Sequence, residues 1–111
     1  MADEFVNFVL DQLSLLPALR AKAMFGGHGL YQGDRFFGIV MAGRLYFKTN
    51  EKTMRKYLDR GMGPFIYEKA RQTMTIRYYE VPPMILENRD EFVTWAREAI
   101  EADKIKQLKR K

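Results

Sequence analysis

Three side chains here are of types that move protons: His28, Tyr79 and Glu80. An imidazole serves as a base or a metal ligand near neutral pH, a phenol as an acid, a carboxylate as a base. His28 sits inside Gly26-Gly27-His28-Gly29, and Tyr78-Tyr79-Glu80 runs into Val81-Pro82. Neither string makes a site by itself. His28 is the single histidine, with no second ligand or orienting carboxylate close by in sequence, and nucleophilic or general-base chemistry needs further partners in reach. The chain has no cysteine, so disulfides and thiolate metal sites are excluded. The glycines invite a phosphate-loop reading. A dinucleotide fingerprint, however, lies between a strand and the helix it opens, whereas these glycines run into Leu30-Tyr31 and a hairpin, with no Gly-Lys-Ser/Thr after them. They predict a tight bend, a bulge or a close approach of backbones. The expectation is a protein that is not an enzyme, with no catalytic, cofactor or metal residues. A site assembled by folding from His28, Tyr79 and Glu80 is the rival.

Charge is distributed unevenly. The net charge is +5, yet residues 104–111 hold five basic residues and no acidic one, and the remaining 14 basic residues match 14 acidic ones. The excess belongs to a tail whose Lys104, Lys106, Lys109, Arg110 and Lys111 are candidate contacts to nucleic acid. No aromatic residue is interleaved there for base stacking, so such binding is expected to be weak and nonspecific. A second basic cluster, Lys52, Arg55, Lys56 and Arg60, suits phosphates, an acidic partner or a solvated helix face. The chain holds no apolar run long enough to cross a bilayer and no basic-then-apolar leader, which predicts a cytoplasmic protein without membrane association.

Which elements would hold these residues follows from periodicity. Phe5, Val6, Val9, Leu13 and Leu16 recur at helical steps over Asp3–Leu16, and Pro17 stops that helix. Strands are expected over 20–25, 29–32, 35–41 and 44–49, with two-residue turns at Gly33-Asp34 and Ala42-Gly43. Asn50 can cap a helix through Asp59. A strand pair follows over 65–68 and 73–79, where Met74, Ile76 and Tyr78 alternate with Thr73, Thr75, Arg77 and Tyr79. Tyr78 is read as inward and Tyr79 as outward. Asn88 and Glu91 form an Asn variant of the capping box, opening a helix that buries Phe92, Trp95, Ala96, Ala99 and Ile100. The result is an α+β domain over 1–103, with a mainly antiparallel sheet of five to six strands and flanking helices, followed by the tail 104–111.

Two-residue turns would pair Tyr31 with Phe36, Val40 with Leu45 and Gly38 with Phe47. Strict alternation then assigns Tyr31, Phe36, Val40, Leu45 and Phe47 to the core. The opposite face receives Leu30, Phe37, Ile39, Met41 and Tyr46, ringed by Gln32, Arg35, Arg44 and Lys48. An apolar centre inside a polar rim predicts an interface, most simply a homodimer.

Four strings together resemble the N-terminal domain of the TfoX/Sxy competence-regulator family. They are Met24-Phe25-Gly26-Gly27 with Gly29-Leu30-Tyr31, Leu45-Tyr46-Phe47-Lys48, Tyr78-Tyr79-Glu80-Val81-Pro82, and Trp95-Ala96-Arg97. The resemblance covers residues 5 to 100. It implies an α+β fold and a regulatory, protein-interaction role in switching on DNA-uptake genes, with a transcription factor as the expected partner. It supplies no catalytic residues. The longer regulators of the family carry a second, helical C-terminal domain, and these 111 residues are expected to hold only the first.

Overall fold

The computed structural model describes the backbone of residues 2–24, 26–69 and 72–110, and side-chain surroundings for 4–24, 26–66 and 77–102. Helix α1 spans Ala2–Gln12. It ends before the expected Leu16, yet the helical spacing still does its work. Leu13 donates its N–H to Val9 (3.1 Å), and Leu16 donates to Leu13 (2.9 Å). Those turns keep Leu13 and Leu16 buried beside Val6 and Val9. Pro17 cannot continue a helix, and Ala18, at φ 58°, swings the chain into the sheet.

The sheet consists of β1 (Leu19–Met24), β2 (Gly27–Gln32), β3 (Arg35–Met41), β4 (Arg44–Lys48), β5 (Pro64–Lys69) and β6 (Gln72–Glu80). Their spatial order is β1-β2-β3-β4-β6-β5, antiparallel throughout. Both expected turns are present. Gly33 takes φ 59° with Asp34 outside the left-handed region, as a type II′ turn requires. Ala42 and Gly43 lie at φ 53° and 74°, the type I′ pattern. The predicted pairs Tyr31–Phe36, Val40–Leu45 and Gly38–Phe47 all form.

One irregularity redistributes the faces. Leu30 pairs with Gly38, but its neighbour Tyr31 pairs with Phe36, which leaves Phe37 as an extra residue opposite no partner. This is a β-bulge, and strict alternation fails across it. Leu30 and Phe37, expected on the outer face, are 0% exposed in the main core. Tyr31 and Phe36, expected in the core, turn to the outer face instead. Arg35 and Gln32 move with the bulge too: they pair with each other, and Gln32 lines a hollow beside Leu16 and Ile100.

Helices α2 (Met54–Asp59), α3 (Pro83–Glu87) and α4 (Arg89–Arg110) join α1 over one face. The main core draws Val9 and Leu13 from the α1 segment, Tyr57 from α2, Ile85 from α3, and Phe92, Trp95, Ala96 and Ala99 from α4. These meet Leu30, Phe37, Leu45 and Phe47 of the sheet. The predicted cap at Asn88 forms, whereas Asn50 caps the turn over residues 51–53 and Thr53 takes the N-cap position of α2. The Asn50 Oδ1 accepts the N–H groups of Lys52 and Thr53 at 2.9 Å. The Asn88 Oδ1 accepts from Glu91 at 3.3 Å, and the Asn88 amide returns a bond to the Glu91 carboxylate at 3.4 Å. The short helix α3 was not expected; Pro82-Pro83 read only as a strand stop. Pro83 supplies its first residue, where a missing N–H costs nothing. Helix α4 continues through residues 104–110, so no break in secondary structure separates the expected tail from the domain. The tail's basic side chains, Lys111, Phe25 and the side-chain alternation of 73–76 lie outside the described residues.

Candidate interaction surface

The sheet face opposite the helices carries its own small cluster. Ile39, Phe65 and Tyr78 are 1%, 5% and 6% exposed, with Phe36, Met41 and Tyr46 half-buried around them. Among the described residues, no helix contributes to it. The rings interlock: Tyr31 and Phe36 at 5.1 Å, Phe36 and Tyr78 at 5.4 Å, and Tyr46 edge-on to Phe65 at 5.0 Å. Such pairs add specific contact energy to area burial.

Gly29 makes this packing possible. A Cβ there would lie 2.4 Å from the Met24 sulfur and 2.9 Å from a Phe36 ring carbon, so both side chains close over a bare backbone. At Gly27 a Cβ would meet the Val40 carbonyl at 2.2 Å. Gly26, at φ 84°, turns the chain from β1 into β2. The glycine string is thus a turn followed by two close approaches, as its composition predicted.

Charged side chains edge this face. Arg20 places its guanidinium 5.0 Å from the Tyr31 centroid and donates to the Gly33 carbonyl at 3.3 Å. Lys22, exposed, stands beside Gly29. Arg44 meets Glu80 at 3.4 Å. Burial raises the Tyr46 phenol above its ordinary pKa, and the nearby Glu80 carboxylate adds to this, while Arg44 pulls it back down.

Of the five predicted interface residues, Ile39, Met41 and Tyr46 lie on this open face, and Leu30 and Phe37 do not. Tyr31, Phe36, Phe65 and Tyr78 are the members that alternation missed. A signal was available: Gly38 directly after Phe36-Phe37 interrupts a strand, where glycine often marks a bulge.

Folding does not gather His28, Tyr79 and Glu80. His28 pairs with Ala23 and Val40 on β2, whereas Tyr79 and Glu80 lie on β6, with β3 and β4 between. Three strand spacings separate them by roughly 14 Å. Tyr79 and Glu80 also point to opposite faces, as successive strand residues must. Tyr79, expected outward, packs on the main core with its ring 6.1 Å from Tyr57. Tyr78, expected inward, is buried, but in the second cluster.

The basic cluster of α2 is partly committed. Lys56 lies over the Trp95 ring at 4.1 Å and pairs with Glu98, and the Arg60 guanidinium lies 5.5 Å from the same ring. Beside this seam is a groove of about 270 Å³ between the Asn50–Thr53 turn and the Thr94–Glu101 flank of α4. Among the described residues there is no cluster of His, Asp and Glu able to hold a metal, and no helix is long and apolar enough to cross a membrane.

Residues 11–103 match the TfoX N-terminal domain. Over 105 residues the chain is 26% identical to DNA transformation protein TfoX1 of Aliivibrio fischeri, an alignment covering 95% of this chain and 48% of that protein. Over 92 residues it is 23% identical to Protein Sxy of Escherichia coli, covering 83% of this chain and 44% of that protein. The chain spans about half the length of the curated relatives it matches. With residues 11–103 matched, most of its length, the chain belongs to the TfoX N-terminal domain family.

Proposed function

We propose that this chain is a regulatory interaction module of the competence type, working in the cytoplasm by contact rather than catalysis. The match over residues 11–103 carries the reading, because the relatives that share this domain include a DNA transformation protein. The fold supports it. Helices cover one side of the sheet, and the other side offers half-buried apolar and aromatic residues to a partner. Sheet faces of that kind are where macromolecules dock.

Deleting the gene from its host and measuring natural transformation tests the role. The reading expects transformation frequency and transcription of DNA-uptake genes to fall together and to return on complementation. Unchanged transcription after deletion contradicts it.

A further inference from the structure

The open face is aromatic at its centre and cationic at its edge. Arg20 and Lys22 are exposed on β1, and Lys48 lies on β4 beside Tyr78. Glu80, on the same face, is matched to Arg44. Half-buried Tyr31, Phe36 and Tyr46 lie between these cations. One row of groups crosses the strands from the Arg20 guanidinium through Tyr31 and Phe36 to Tyr78, with centroid steps of 5.0, 5.1 and 5.4 Å.

This combination discriminates between occupants. A second copy packed about a two-fold axis presents the identical patch to itself, so a face edged by exposed Arg20 and Lys22 would meet an equally cationic one. An anionic partner gains where a second copy loses. Rings next to cations on a solvent-facing antiparallel sheet match unpaired nucleic acid in particular. Its bases offer π faces for stacking and its phosphates pair with Arg and Lys. A duplex hides those base faces.

We propose that the open sheet face binds single-stranded nucleic acid, with bases against Tyr31, Phe36 and Tyr46 and phosphates at Arg20 and Lys22. The proposal rests on the reading of this face as the module's working surface and names its partner. DNA and RNA share the chemistry.

Fluorescence anisotropy of the full chain with labelled mixed-sequence oligonucleotides tests it, using single-stranded DNA, single-stranded RNA and duplex DNA across a salt series. Single strands should bind more tightly than duplex. Tyr46→Leu, which keeps apolar bulk but removes a ring, should weaken binding at least about fivefold, the loss of one base stack. Lys22→Ala, at an exposed position that folding does not need, should flatten the log–log salt slope by about 0.7. Circular dichroism confirms that both variants fold. Equal affinity for duplex, or affinity and slope unchanged in both variants, overturns the platform and assigns binding to the basic end of the chain. No binding to any oligonucleotide also overturns it. In that case a dimer by light scattering that Met41→Glu dissociates would give the face to a second copy. Transcriptional effects of the same Met41→Glu variant judge the working-surface reading separately, because they do not depend on which partner the face takes.

Discussion

Phe36 and Phe37, adjacent in sequence, serve opposite faces of the sheet. Phe36 lies against Tyr31 on the open side, and Phe37 lies 5.7 Å from Phe47 beneath the helices. The bulge that separates them sets which residues the protein shows and which it buries. Phe37→Ala should therefore cost about 3–5 kcal/mol, as for a fully enclosed phenylalanine. Phe36→Ala, at a half-buried site, should cost less than half as much. Urea unfolding of the two variants gives the comparison, and equal losses would argue against the bulge.

The β3–β4 turn carries a correctable strain. Ala42 occupies the left-handed region at φ 53°, which costs an L-residue roughly 1 kcal/mol. Asn or Gly is preferred at that position of a type I′ turn. Ala42→Asn should raise stability by about 0.5–1 kcal/mol without affecting binding. Thermal unfolding measures it, and a lower midpoint would contradict the turn assignment.

Lys56 tests how α2 is held to α4. Its ammonium lies over Trp95 and pairs with Glu98, both contacts being partly open to solvent. The ring contact contributes about 0.5–1 kcal/mol at such sites, and the ion pair no more than about 1 kcal/mol. Lys56→Ala should cost about 0.5–2 kcal/mol, the loss of both contacts together. A double-mutant cycle with Glu98→Ala should return a coupling below about 1 kcal/mol, falling further in high salt.

Tyr57 makes the fold sensitive to alkali. Burial against Trp95 drives its phenol pKa far up, with Glu98 adding to the shift. Above about pH 10 the unfolded chain ionises this tyrosine while the folded chain keeps the proton. The folded state then binds more protons, so stability present below pH 10 is lost as pH rises, by up to about 1.4 kcal/mol per unit from this residue. Tyr57→Phe should remove that slope. Denaturant titrations between pH 9 and 11 provide the readout.

Local signals in the sequence specify much of this fold. The cap at Asn88, the turns at Gly33 and Ala42, and the pairing register of β2, β3 and β4 all depend on neighbours within a few residues. The division into faces depends on long-range parity, and one extra residue at Phe37 inverts every assignment on its far side. Pairing was therefore legible, and the surface was only half so. Ile39, Met41 and Tyr46 lie beyond the bulge, where alternation still held, whereas Leu30, Tyr31, Phe36 and Phe37 lie at it. The short helix α3 has no distinct signal in the sequence, because Pro82-Pro83 reads equally as a stop or a helix start.

The central claim is that the open sheet face is the surface through which this module regulates. The most direct test compares two charge-altering variants in the host, Met41→Glu at the centre of that face and Arg97→Glu on the exposed flank of α4. Transcription of DNA-uptake genes is measured with each variant at equal protein levels. The account predicts that Met41→Glu abolishes activation while Arg97→Glu leaves it within about twofold of the parent protein. Full activation by a folded Met41→Glu protein would contradict it, and loss confined to Arg97→Glu would move the working surface to the helical side.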